Sequence, residues 1–142
     1  MRTHTLLRLG WFAACLAFFP LAGCTDKTTS VSGKLILPND ISVAENDSVT
    51  IVFMPEKDGK TIAGLYSPAE KTFTAKEIAP GSYKITVRIV PYPGKDSDKR
   101  KATYERFNKS HDREGTKLKY EFTAEPSQSI TIDADKDAVT KG

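Results

Sequence analysis

Cysteine, histidine and tryptophan are all but missing from this sequence. Its 142 residues include two cysteines, two histidines and one tryptophan. Cys15 and Cys24 both lie near the N-terminus, so no thiol follows residue 24. That excludes a disulfide framework and any cysteine-ligated metal site from the rest of the chain. His111 is the one histidine after His4, and a histidine-based metal site needs further ligands that nothing nearby supplies. A strong charge of either sign is also missing. The formal net charge is +3, and residues 1–23 carry Arg2 and Arg8 with no acid, so the remainder is near +1. A balance that small leaves no electrostatic footprint for nucleic acid.

What is present begins with an apolar N-terminal segment. Arg2 and Arg8 form a basic front, and residues 9–21 then run without a charge. This length fits the apolar core of a signal peptide, typically about 7–15 residues. It falls short of the ~18 residues expected of a spanning helix. Pro20 breaks the helix near its end. Leu21-Ala22-Gly23-Cys24 follows, with small residues where a peptidase pocket needs them and then a thiol that can carry a diacylglyceryl thioether. Basic front, apolar core, small residues and cysteine in this order read as a bacterial lipoprotein cleavage box, rather than an ordinary secretory signal or an uncleaved anchor. The expectation is a signal peptide at 1–23, lipid on Cys24, and a lipidated tether at 24–30. Two or three acyl chains exceed what stable anchoring requires. By resemblance to enterobacterial lipoproteins, Thr25 in place of an aspartate favours the outer membrane.

From residue 31 the text reads as strands and turns, with no long amphipathic helix. Strands are expected at 31–37, 49–54, 61–66, 72–77, 83–89, 118–122 and 130–133. In 49–54, apolar residues fall on both faces, as in a central strand. In 83–89, Tyr83, Ile85, Val87 and Ile89 alternate with Lys84, Thr86 and Arg88, giving one buried and one wet face. Turn chemistry separates the strands. Asp58-Gly59 suits a hairpin, and Pro80-Gly81 suits a turn needing positive φ at its glycine. Seven or so short strands predict an all-β fold, an antiparallel β-sandwich over residues 31–134. Residues 135–142 read as a polar, fraying tail.

Residues 95–117 interrupt this rhythm with eight basic and five acidic residues. The segment is too long for a simple hairpin loop. One or two helical turns are expected within about 100–108, with Tyr104 and Phe107 touching the core at i, i+3 spacing.

Several pieces, in order behind the cleavage box, carry a resemblance. They are Val31-Ser32-Gly33-Lys34-Leu35, Val52-Phe53-Met54-Pro55, Ala79-Pro80-Gly81-Ser82-Tyr83-Lys84-Ile85-Thr86-Val87, the pair Phe107-Asn108, and the closing Thr116-Lys117-Leu118 and Ile130-Thr131-Ile132-Asp133. Together the chain resembles small planctomycete envelope lipoproteins with a carboxypeptidase-regulatory-like, or transthyretin-like, β-sandwich. It departs from that pattern at Ala69-Glu70-Lys71-Thr72-Phe73, where the family often has Asp-Gly, and in its longer first turn. The resemblance implies a transthyretin-like topology, structural or binding roles, and no catalytic residues.

The reactive letters support the same reading. Ser97-Asp98 and Ser110-His111-Asp112 hold triad letters, but adjacent residues do not converge as a triad must. His111 reads as an exposed loop histidine beside Asp112. Asp133, Asp135 and Asp137 alternate as cation ligands would, yet lack the glycine and terminal glutamate of an EF-hand loop. The expected function is a non-enzymatic, lipid-anchored structural or protein-binding module of the cell envelope, with no cofactor or metal. Its partners are the membrane, through Cys24, and an envelope protein or polysaccharide. Its expected binding loop spans 91–117, with Tyr92, Arg100, Lys101, Tyr104, Arg106 and Phe107. The alternative is a carbohydrate-binding module in which exposed aromatics of that loop, Tyr92 and Tyr104, stack on sugar rings.

Overall fold

In the computed structural model, residues 27–94 and 96–142 are described. The expected signal peptide and the cleavage box, Leu21, Ala22, Gly23 and Cys24, lie outside them. The elements are β1 (Thr29–Ile36), β2 (Ser48–Pro55), β3 (Ile62–Ser67), β4 (Thr72–Ile78), β5 (Gly81–Val90), α1 (Ser97–Ser110), β6 (Lys119–Phe122), β7 (Ser127–Asp133) and β8 (Ala138–Lys141). The eight strands form one mixed sheet in the order β6-β5-β2-β3-β4-β1-β7-β8. The sheet curls until it is nearly closed into a barrel. The fold is all-β in class, as the sequence implies.

Alternation fixes the faces. Tyr83, Ile85, Val87 and Ile89 are buried along β5, and Ile51 and Phe53 along β2. Phe53 meets Phe73 and Phe122 at ring-centroid distances of 6.0 and 5.8 Å, the offset and edge-on separations that aromatic rings favour. β2 lies between β5 and β3, so its reading as a central strand holds. Gly81 has φ +142°, as the turn after Pro80 demands.

Two expectations about the sheet are corrected. The pairing is not purely antiparallel, because β1 runs parallel to β7, with Gly33 beside Ile130. A Cβ on residue 33 would lie 1.9 Å from the Ile130 carbonyl oxygen, so the two backbones approach only because glycine stands there. Alternation along a strand reports its face but not its neighbour, which is why the parallel pair was hidden. The described residues also form eight strands where about seven are expected. The tail expected to fray folds back as β8 against β7. Asp133 accepts the Lys136 N–H at 3.1 Å, and Asp137 takes φ +51°, a conformation that aspartate tolerates better than most side chains.

The 95–117 segment is corrected as well. It carries a 14-residue helix rather than a loop with one or two turns. Residues 97–110 include neither glycine nor proline, Asp98 sits in the first turn and Lys109 in the last, as the helix dipole favours. Arg100, Tyr104, Phe107 and His111 follow i, i+4, i+7, i+11 spacing and share one face. Tyr104 and Phe107 enter the core. The helix also seals an open sheet edge. Asn108 Oδ1 accepts the Ile89 N–H and its Nδ2 donates to the Ile89 carbonyl, both at 2.8 Å. One amide thus stands in for a missing strand. Beyond the helix, Val87 N–H donates to His111 O and Ile85 N–H to Leu118 O.

The register defines two ends. Thr29 lies beside Ile78 and Gly81 beside Phe122, so the chain enters at the end where β5 begins. Ser48 pairs with Val90 at the other end. β5 has ten residues, which at about 3.3 Å each separates the ends by about 30 Å.

Candidate functional site

At the end far from the chain's entry, the loop before β2 delivers Asp47 to the first turns of α1. The Asp47 side chain is fully enclosed. Its Oδ1 accepts the Tyr92 N–H at 2.9 Å and Arg100 Nη2 at 3.1 Å. Its Oδ2 accepts the Ala44 N–H and Arg100 Nε, each at 3.1 Å. The Tyr104 hydroxyl lies 2.7 Å from both Oδ2 and the Ser42 carbonyl oxygen. A hydroxyl has one proton, so Tyr104 donates to one of these acceptors at a time. The Arg100 contact is the bidentate kind that fixes orientation as well as charge.

Electrostatics follow from this crowding. Burial alone raises the Asp47 pKa, but the Tyr92 N–H, the Tyr104 hydroxyl, the Ala44 N–H and the Arg100 guanidinium outweigh it and hold the carboxyl below its ordinary range. Burial, and next the hydrogen bond to Asp47 and its negative charge, push the Tyr104 phenol up to about 12. Asp47 therefore stays ionised and Tyr104 protonated across the neutral range. With both carboxylate oxygens engaged by donors, Asp47 has little capacity left to accept a substrate proton. The cluster is a clamp that joins the loop before β2, the end of β5 and α1.

What the clamp presents is Tyr92. Its backbone N–H is held by Asp47 while its side chain stands out, with the residue 61% exposed between Pro91 and Pro93. Beside it opens a cleft of about 230 Å³ lined by Asn46, Tyr92, Pro93, Asp96 and Arg100 among others. The Arg100 side chain keeps 28% exposure there.

The expected binding residues divide accordingly. Tyr92 is exposed, and Lys101 is exposed on α1. Arg100 is committed to Asp47, and Arg106 pairs with Asp40 at 2.6 Å. Tyr104 and Phe107 are only 2% and 5% exposed. They are core residues, as their i, i+3 spacing implies, which takes both out of the binding loop and corrects the use of Tyr104 as an exposed aromatic. The reason is the helix, which turns their common face inward. Cys24, Leu21, Ala22 and Gly23 lie outside the described residues.

His111 is also corrected, because it is buried rather than exposed in a loop. It caps the C-terminus of α1 and stacks on Phe107 at 4.2 Å between ring centroids. Nδ1 lies 3.0 Å from the Phe107 carbonyl oxygen and Nε2 lies 3.1 Å from that of Ala134. His111 thereby ties the helix to the β7–β8 turn. Asp133 and Asp137 are engaged with Lys136 and Lys117, and no three His, Cys, Asp or Glu side chains gather as metal ligands among the described residues.

Sequence reasoning missed Asp47. Its helix partners lie 53 and 57 positions away, and no local pattern marks it. Compared with protein-family models, curated proteins and solved structures, the chain matches none.

Proposed function

We propose that this chain is a non-enzymatic, lipid-anchored module of the bacterial envelope that binds a protein partner through its Tyr92 edge. Residues 1–23 would be the signal peptide and Cys24 the lipidated residue, anchoring the protein to a bacterial membrane, with Thr25 favouring the outer one. One observation carries the binding part. Tyr92 is exposed while its backbone is pinned by Asp47, about 30 Å from the end where the chain leads back to Cys24. A fixed, exposed tyrosine loses little entropy on binding, and tyrosine is common among residues that dominate interfaces. An anchor at one end and a presented ring at the other suit a module that reaches away from a membrane.

The finer fold reading belongs to this proposal. β3 pairs with β2 through Ile62–Gly64 and with β4 through Leu65–Ser67. We take the flanks on either side of this switch as the two layers of a transthyretin-like sandwich. The carbohydrate alternative at the 91–117 loop loses Tyr104, which is enclosed, and keeps Tyr92.

Removing residues 91–117 would take Tyr104 and Phe107 from the core, so a point probe is the cleaner test. A photo-crosslinking residue in place of Tyr92, in the full chain within a bacterial envelope, should form a discrete adduct with an envelope protein. The same probe in place of Lys57, at the opposite end, should not. No adduct at position 92, or the same adduct from both positions, contradicts the assignment.

A further inference from the structure

Away from Tyr92, the outer face of β4, β1, β7 and β8 carries a second pattern. The register places Thr74, Ser32 and Ser129 side by side in one row. The next row holds Thr72, Lys34, Thr131 and Thr140. Neighbours within a row are about 4.8 Å apart, and rows are about 6.7 Å apart along the strands. Each hydroxyl can donate one hydrogen bond and accept two. The spacing across strands is close to the length of one pyranose ring, so a glycan laid across the strands would meet a hydroxyl or an ammonium group at each step.

Charge narrows the class. Lys34 is exposed at the centre of the array and Lys76 at its border, and neither forms an ion pair among the described residues. Of the bordering carboxylates, Glu77 meets Lys60 and Asp133 meets Lys136; Glu70, on the turn before β4, accepts the Thr72 hydroxyl, so Thr72 keeps only its acceptor capacity. The face therefore offers hydroxyls and free positive charge, with no free carboxylate at its centre. Its two exposed apolar residues do not join into a patch. Leu65, 78% exposed, pairs with Thr74, while Ile36 pairs with Asp133 two strands and two rows away. A second copy stacked on this face would bring Lys34 toward its own counterpart, which like-charge repulsion disfavours.

We propose that this face binds an acidic polysaccharide, a chain of uronate-type sugars whose carboxylates meet Lys34 and Lys76 and whose ring hydroxyls meet the Ser/Thr rows. It is a site separate from the Tyr92 edge. The probe is immobilised polygalacturonate, with neutral cello-oligosaccharides as the control and the full chain in detergent as the protein. The wild-type chain should be retained on polygalacturonate, less so as salt is added, and should ignore the neutral sugar. Lys34→Glu should weaken retention about tenfold, the scale of one charge contact in a partly solvated site, while Lys34→Arg should keep it. Ser32→Ala with Thr131→Ala should weaken it with Lys34 intact. Thermal melts of each variant confirm the fold, and Tyr92→Ala should bind polygalacturonate as wild type does. No retention of the wild-type chain, equal retention of Lys34→Glu, or equal binding of the neutral sugar overturns the proposal. So does self-association abolished by Lys34→Glu in a chain that binds no polygalacturonate. None of these results touches the crosslink expected at Tyr92, because the two surfaces share no residue.

Discussion

Replacing Asp47 with asparagine probes the clamp with the least change of shape. The variant keeps one oxygen but turns an NH2 group toward donors that need an acceptor, and it removes the charge opposite Arg100. Removing one partner of a buried ion pair costs about 3–5 kcal/mol. The lower end applies here, because Arg100 is partly exposed and can regain water. About 3 kcal/mol corresponds to a drop of about 12 °C in Tm for a domain of this size. The pH dependence is the sharper signature. The Asp47 pKa is lowered in the fold, so its stabilisation is fully present above the unfolded value of about 3.9 and is lost as pH falls through the lower folded value. Thermal unfolding followed by circular dichroism should thus show the widest gap between wild type and Asp47→Asn at neutral pH, narrowing below about pH 4. A neutral-pH drop of less than about 3 °C, or a gap that does not change with pH, would refute the clamp.

Further outcomes follow from the same geometry. Tyr104 should be the last tyrosine to ionise, near the value of about 12. Because its folded pKa is raised, stability should fall as pH climbs from about 10 to about 12; a tyrosinate absorbance titration in which Tyr104→Phe removes no late component would exclude this. Gly33→Ala would place a methyl 1.9 Å from the Ile130 carbonyl oxygen, so a loss of 3 kcal/mol or more, roughly the upper end for overpacking, is expected in denaturant melts; a variant within about 1 kcal/mol of wild type would contradict the β1–β7 register. Tyr92→Ala should change stability by no more than about 0.5 kcal/mol, since its ring is exposed; a larger loss in the same melts would make Tyr92 structural instead of presented.

The strand faces were legible because period-two alternation writes them directly. Tyr83, Ile85, Val87 and Ile89 are buried as their spacing implies. The helix was half legible. Tyr104 and Phe107 signalled a packed face, but one turn further on each side stand Arg100 and His111, which complete the stripe as polar residues. A hydrophobicity reading passes over such residues, although both are tied down by hydrogen bonds. The same bias made His111 look solvated, when its place at the end of α1 turns it against Phe107 and Ala134. Asp47 was not legible at all. A buried carboxylate is defined by what surrounds it, and its surroundings come from distant segments. β8 escaped because Ala138-Val139-Thr140 is too short to show a period.

The proposed role depends first on Cys24. Mass spectrometry of the N-terminal peptide from the full chain, made in a bacterium that processes lipoproteins, tests it directly. The expected peptide begins at Cys24 and carries a diacylglyceryl group on sulfur, and Cys24→Ser should leave the precursor uncut. A mature chain cut at another position, or Cys24 recovered as a free thiol, would contradict the anchored module.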